Sequence, residues 1–428
     1  MDNIESKLIE WRRDFHRYPE GGFLEMRTAS IVASILDELG YELAMGKEVM
    51  SEAHCMGKPE KAEIVAHYQW ALENGAKKEY IQPFSEGFTG IVATMDTGKE
   101  GPTTAVRVDM DALDINESNE DSHVPQREGF RSIIPSKMHA CGHDAHTSIG
   151  LGLAELIAGN KDSLKGKIKL IFQPAEEGTR GARSMVEANV VDDVDYFIAI
   201  HVGIGVPDGH FVASKNGFLA TSKLDITFRG VASHAGGKPE EGKNALLAAA
   251  SAALNIYAIP RHSEGATRMN VGEMHAGSGR NIIADKAFLK VETRGETTKI
   301  NEYVKSQAEA VIAGAAQMFG VDYEIETVGE AISAKGSTEL AEVLHACAQE
   351  SPYLKKSILE DHSSAGSEDA TFFIERVQQN GGQATYCVFG TELAAGHHNE
   401  KFDFNESAMM AAINVLFESI RELNGNQE

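Results

Sequence analysis

The sequence predicts an α/β protein: a mostly parallel-type sheet with helices on both faces, interrupted by a smaller inserted domain. Two observations lead there. Apolar runs of strand length alternate with helical patterns, at Gly90 to Met95, Thr104 to Val108, Lys167 to Phe172, Tyr196 to Ile200 and Ala384 to Phe389. The middle of the chain has a different order: strand Lys223 to Phe228, helix Asn244 to Ala258, strands Arg268 to Met274 and Ala287 to Thr293, helix Ile300 to Met318, strand Tyr323 to Val328. A βαββαβ unit of this kind can fold by itself. Residues 221–330 are therefore read as a satellite domain inserted into a main domain formed by 1–220 and 331–428.

The individual elements follow from periodicity. Ile4, Leu8, Trp11 and Phe15 recur at helical spacing before Pro19 ends the run. Ile31, Val32, Ile35, Leu36 and Leu39 mark a second helix, which Gly40 caps. The chain has 428 residues, enough for two ordinary domains, and its formal net charge is -24. That balance excludes a nucleic-acid binder, which needs clustered Lys and Arg. An anionic substrate would need local positive charge to overcome the general field. The charged N-terminal residues Asp2, Glu5, Lys7, Arg12 and Arg13 do not form a signal peptide, and no apolar run approaches the roughly 18 residues of a membrane span. Cys55, Cys141, Cys347 and Cys387 form no Cys-x-x-Cys pair. A cytoplasmic protein without disulfides is expected.

The metal-capable side chains fall just past strand ends. Asp109 and Asp111 follow Thr104 to Val108; Glu176 and Glu177 follow Lys167 to Phe172; His201 ends Tyr196 to Ile200. Cys141 and His143 precede a helical stretch, and His398 lies beyond the last strand. Sites in open α/β sheets form outside the carboxyl ends of the strands, so these residues should converge. One Cys, three His and a Glu exceed the four ligands of a tetrahedral zinc and suit two divalent ions sharing a bridge. Thiolate and imidazole favour zinc, with manganese the alternative. Adjacent glutamates in a turn cannot easily both bind one ion, so one ligates and the other serves as general base. His139, His146 and His397 are read as ordinary polar residues.

The motifs extend over nearly the whole chain: Arg-Arg-Asp-Phe-His-Arg-Tyr-Pro-Glu (12–20), Arg-Val-Asp-Met-Asp-Ala-Leu (107–113), Met-His-Ala-Cys-Gly-His-Asp (138–144), Phe-Gln-Pro-Ala-Glu-Glu-Gly (172–178), Gly-Ser-Glu-Asp-Ala (366–370) and His-Asn-Glu-Lys-Phe-Asp (398–403). In this order they resemble the dinuclear metallo-amidohydrolases, the family of hippurate hydrolase, plant auxin-conjugate hydrolases and carboxypeptidase G. The resemblance implies two divalent ions per subunit, Mn2+ or Zn2+, held by Cys141, His143, Glu177, His201 and His398, with Glu176 as general base. It implies that His234, in Ala-Ser-His-Ala (232–235), stabilises the oxyanion, that Asp109 and Asp111 support the ligands, and that subunits pair through the satellite domain as a homodimer or with a homologous chain.

Phe-Gln-Pro-Ala-Glu-Glu-Gly-Thr-Arg-Gly-Ala-Arg (172–183), Gly-Ser-Gly-Arg-Asn (277–281) and the stretch 389–404 are similar to the members acting on p-aminobenzoyl-glutamate. The activity implied is hydrolysis of the amide bond of an N-acyl amino acid. Alternatives are a hippurate-like or N-acetyl substrate, or a scaffold chain that needs a homologous B-type partner. For a substrate bearing carboxylates, Arg294 and Arg280, with Asn281 beside the latter, are the binding candidates; both arginines fit a surface ion pair equally well. The chain departs from the general family in a segment at Val49 to Phe88, shared with the A-type subunits, in Glu400 where proline is usual, and in Ile283-Ala284 where Ile-Pro is usual. The inserted segment is open to two readings, a lid or a partner surface.

Overall fold

The computed structural model describes residues 2–364 and 366–425. Its strands, in chain order, are β1 (Glu42–Met45), β2 (Ile91–Asp96), β3 (Thr103–Asp109), β4 (Lys167–Gln173), β5 (Tyr196–Val202), β6 (His210–Lys215), β7 (Ala220–Arg229), β8 (Thr267–Ala276), β9 (Lys286–Gly295), β10 (Asp322–Ala331), β11 (Lys356–Asp361) and β12 (Gln383–Phe389). The chain divides into two compact units. One comprises Met1–Asn216, Ala334–Ser363 and Asp369–Glu428; the other comprises Gly217–Ser333 with Ser364–Glu368.

The first unit is built on an eight-stranded sheet in the order β1-β2-β4-β3-β5-β12-β6-β11. Its centre, β4-β3-β5-β12, is parallel, as is β6-β11. The β1-β2, β2-β4 and β12-β6 pairs are antiparallel. Because β3, β4, β5 and β12 run together, their carboxyl ends lie along one edge, with Asp109 opposite Gln173 and His201 opposite Val388. Covering both faces makes the central strands apolar on both sides. Ile198 and Ile200 of β5 enter the large core with Leu8, Ile149 and Leu416, whereas Phe197 stacks on Phe373 of the helix Thr371–Gln379. The helices Asp2–Arg17, His143–Gly159 and Ala408–Asn424 pack together beside that core.

The second unit is the four-stranded antiparallel sheet β10-β7-β9-β8 with the helices Ala245–Ile256 and Thr298–Phe319. Asn244 caps the first helix and Thr297 the second, each accepting a backbone N–H three residues on. Leu224, Ile226 and Phe228 of β7 and Leu289 and Val291 of β9 alternate inward against Ala248, Ala252, Val304 and Ile312. The order of elements is βαββαβ, as the periodicity predicts.

One buried ion network anchors the N-terminal helix to the main unit. Arg12 is fully buried, with Nε 2.9 Å from Asp144 and Nη2 2.6 Å from Asp403. His16 places Nδ1 2.8 Å from Asp144 and Nε2 2.9 Å from Glu117. Burial disfavours its charge, but hydrogen bonds from the imidazolium to both carboxylates prevail and raise its pKa to about 9. The folded value lies above the unfolded one of about 6.5. This stabilisation is therefore complete below pH 6.5 and is lost as pH rises through 9. It amounts to roughly 2–3 kcal/mol at neutral pH. Thermal unfolding midpoints should fall between pH 7 and 9.5 in the wild type, and His16→Gln should flatten that fall; an equal slope in the variant would contradict the assignment.

Candidate metal centre

The site is assembled at the carboxyl edge of the parallel strands. β3 ends on Asp109 and, two residues on, the chain presents Asp111. Cys141 and His143 flank Gly142, the N-cap of the helix His143–Gly159. Gly142 has φ +89°, and a Cβ there would lie 2.7 Å from Val202 Cγ2, so this position needs glycine. β4 runs into a turn with positive φ at Ala175 (52°) and Thr179 (61°), and this turn carries Glu176 and Glu177. His201 is on β5. His398, at φ 62°, is held by its backbone N–H to the Ala140 carbonyl at 2.8 Å.

The sequence-predicted ligands come together here. Donor atoms of Cys141, His143 and His201 lie within 4.8 Å of one another, as do those of Cys141, Glu177 and His398, and those of His143, Glu176 and Glu177. Cys141, His143 and Glu177 each belong to two of these groups and link them into one cluster. Its Sγ is 3.5 Å from His201 Nε2, and His398 Nε2 is 3.4 Å from Glu177 Oε1.

Hydrogen bonding behind these atoms fixes which nitrogens face the centre. His143 directs Nδ1 to Asp111 Oδ1 at 3.2 Å, and His201 Nδ1 donates to the Val202 carbonyl at 2.7 Å. Both rings therefore turn Nε2 inward, the arrangement of metal-ligating histidines. His143 Nε2 and Glu177 Oε1 are buried without a well-aligned hydrogen bond. Such atoms are costly unless a cation takes them, so the donor set fits divalent metal. His146 differs: its Nδ1 is 2.6 Å from Asp109 Oδ1, and its Nε2 accepts the Val202 N–H at 3.0 Å. With both nitrogens engaged, the Asp109–His143–His146 cluster is a hydrogen-bonded support.

Electrostatics agree with this division. Burial and then Glu177 push the Cys141 thiol well above its ordinary range, so only a strong local positive charge makes it a thiolate. Burial works against ionisation of Asp109, but the charges of His143 and Arg107 outweigh it and hold the carboxyl well down. Burial, with His146 nearby, keeps His201 neutral, as a ligand must be.

Asp111 binds the two glutamates to this frame, accepting the N–H of Glu176 at 3.0 Å and of Glu177 at 2.9 Å. Sequence reasoning missed three contributors. Arg107, fully buried, reaches Asp109 at 2.7 Å; Glu25 accepts the Ala175 N–H at 2.8 Å; His146 braces Asp109. The one available signal was the spacing of His143 and His146, which puts both on one helix face.

The other predicted residues belong to the second unit. His234 is exposed and pairs as an isolated bridge with Ile282, while the Ala235 N–H donates to the Asn281 carbonyl at 3.0 Å, so His234 and Asn281 are neighbours. His234 Nδ1 accepts the Gly236 N–H at 3.1 Å, which puts the proton of the neutral ring on Nε2. Arg280 is exposed in the same loop; Arg294 lies on β9 with its guanidinium 2.9 Å from Glu292.

This fold and donor set define an amide-bond hydrolase of the metallopeptidase type. The chain belongs to Peptidase family M20/M25/M40, whose model matches residues 105–422. It is 53% identical over 416 residues to the A-type subunit of p-aminobenzoyl-glutamate hydrolase from Escherichia coli (strain K12), covering 97% of this chain and 95% of that protein. It is 54% identical over 410 residues to the indole-3-acetyl-aspartic acid hydrolase of Enterobacter agglomerans, covering 96% and 94%. The crystal structure of the aminobenzoyl-glutamate utilization protein of Klebsiella pneumoniae superposes with a TM-score of 0.86 at 46% identity, covering 99% and 96% of the two chains.

Because Asp111 holds one ligand ring and both glutamate amides, Asp111→Ala should weaken divalent-metal affinity about 10–100-fold with the chain still folded. Equilibrium dialysis with metal analysis checks this; wild-type affinity in the folded variant would remove Asp111 from the site.

Proposed function

We propose that the chain hydrolyses the amide bond between an aromatic acyl group and an acidic amino acid, with p-aminobenzoyl-glutamate as substrate and p-aminobenzoate and glutamate as products. The supporting observation is the linked cluster of Cys141, His143, His201, Glu177 and His398, with the carboxylate of Glu176 beside His143 and Glu177. Two relatives of nearly equal similarity carry names for different substrates, p-aminobenzoyl-glutamate and indole-3-acetyl-aspartate. Both substrates join an aromatic acyl group to an amino acid with two carboxylates, and that shared chemistry defines the substrate class.

Cys141, His143, Glu177, His201 and His398 would hold two divalent ions, zinc or manganese. Bound there, the ions supply Lewis acidity and lower the pKa of water. Glu176 takes the proton of the attacking water and delivers it to the leaving amine nitrogen, so one water is consumed and a carboxylic acid and an amine are released. His143 and His201 stay oriented through their Nδ1 bonds. His234, with its proton on Nε2, is the donor for the developing oxyanion. Asn281, Arg280 and Arg294 are the candidates for the substrate carboxylates, supplying local positive charge in a chain of net charge -24. The satellite spanning about 221–330 pairs protomers in this reading, as a homodimer or with a homologous chain; a relative named as a subunit supports an assembly. The activity is assigned to the cytoplasm.

Glu176→Gln should cost about 10²–10⁴-fold in kcat on p-aminobenzoyl-glutamate with metal content unchanged. Wild-type turnover in the loaded variant would contradict the general-base role. Faster cleavage of hippurate than of either acidic conjugate would overturn the substrate class. Activity appearing only with a second polypeptide would favour the co-subunit reading.

A further inference from the structure

The inserted segment bears on the turn that carries Glu176 and Glu177 directly through Gly57, through Ser51 on the helix Ala182–Val186 that follows the turn, and, at its junction with the sheet, through Thr89 and Glu25. Ser51 and Ser184 exchange bonds, with the Ser51 N–H to the Ser184 carbonyl at 2.9 Å and the Ser184 hydroxyl to the Ser51 carbonyl at 3.1 Å. Arg180 donates Nε to the Glu177 carbonyl at 2.9 Å and Nη1 to the Gly57 carbonyl at 3.2 Å. Thr89, where the segment rejoins the sheet, donates its hydroxyl to Glu25 Oε2 at 2.6 Å, and Glu25 Oε1 accepts the Ala175 N–H.

The path of Arg180 is built. A Cβ on Gly22 would lie 2.9 Å from Ala175 Cα and 2.4 Å from Arg180 Nη2, so glycine lets the turn and its guanidinium come this close, and the Phe23 ring centroid lies 5.6 Å from the guanidinium. The turn has a reason to need support: Ala175 and Thr179 both hold positive φ, which costs about 1–3 kcal/mol each unless the surroundings enforce it. Two buried acidic groups that receive its amides, Glu25 and Asp111, also lie close enough for their charges to oppose one another.

We infer that the segment 49–88, with Thr89 at its junction to the sheet, is a brace for the carboxylate turn, with Arg180 and the Thr89–Glu25 pair as its two struts, acting through the placement of Glu176 and Glu177. This goes beyond a lid or a partner surface and rests on the catalytic reading of that turn. Arg180 and Glu25 are positioning residues: one holds the Glu177 carbonyl, the other the Ala175 amide, and neither has to touch substrate. Three successive amides, of Ala175, Glu176 and Glu177, end on the oxygens of Glu25 and Asp111. Loosening either strut frees that ladder.

The test uses the full chain with Thr89→Val, which keeps shape but removes the hydroxyl, and with Arg180→Ala and Arg180→Lys. Hydrogen exchange of residues 174–184 in the metal-free protein reads the turn directly, whatever the substrate. Thr89→Val and Arg180→Ala should speed exchange there at least tenfold with other core amides unchanged. Metal affinity should fall about 10–100-fold and kcat about 10²-fold on both p-aminobenzoyl-glutamate and hippurate, and Arg180→Lys should recover part of each. Unchanged exchange and metal affinity, with KM raised only for the acidic substrate, would make Arg180 a substrate-carboxylate receptor and overturn the brace. Exchange loosened throughout the unit would reduce it to general stability and overturn it equally. If no substrate is cleaved by the wild type, the exchange and metal measurements still decide the brace.

Discussion

The carboxylate of Asp111 is the point on which the site depends. It meets the Nδ1 of His143 and the amides of Glu176 and Glu177. An imidazole from the start of a helix, a turn after β4 and the end of β3 are thereby fixed to one group that water does not reach. Fully engaged polar networks of this kind rigidify, and partly engaged ones are expensive. Asp109 does the same for the other half, taking Arg107 and His146, and His146 in turn receives the Val202 amide beside His201. Nε2 of His143 and Oε1 of Glu177 are buried beside this frame without a well-aligned hydrogen bond.

This arrangement accounts for a concentration of acidic groups that would otherwise be unstable. Burial and the proximity of Asp111 push the Glu25 carboxyl up to about 8. Arg107 and His143 keep Asp109 ionised. At the other end of the same helix start, Arg12 and His16 offset Asp144, which burial alone would protonate. Positive charge thus offsets Asp109 and Asp144, whereas Glu25 is held by hydrogen bonds from Thr89 and the Ala175 amide.

Much of this was legible in the sequence, for physical reasons. The central strands are covered on both faces and read as continuous apolar runs, so β3, β4, β5 and β12 and the chemistry at their ends could be located. The edge strands could not: β1 has four residues, and β6 and β11 mix polar and apolar side chains at the margin of the sheet. The helix Lys61–Glu73 of the inserted segment buries only Ile64 and Ala71 and leaves no helical stripe to recognise. Within the site, no single residue type announced the inward-facing set; cysteine, histidines and glutamates recurring together past successive strands did. Their supports were hidden. Arg107 sits in the middle of a buried strand, and Arg180 stands inside the 172–183 motif without any sequence sign that it binds two carbonyls. The split between Asp109 and Asp111 required knowing where each histidine turns its Nδ1.

The central claim is that the inward-facing atoms of Cys141, His143, Glu177, His201 and His398 form one two-ion centre. Anomalous diffraction at the zinc and manganese absorption edges, from crystals of the metal-loaded protein, tests it most directly. The account predicts two peaks per chain, roughly 3.5–4 Å apart, both coordinated within this set of five residues and with His146 and Asp109 outside the coordination sphere. A single peak, or peaks coordinated by His146 and Asp109, would contradict it.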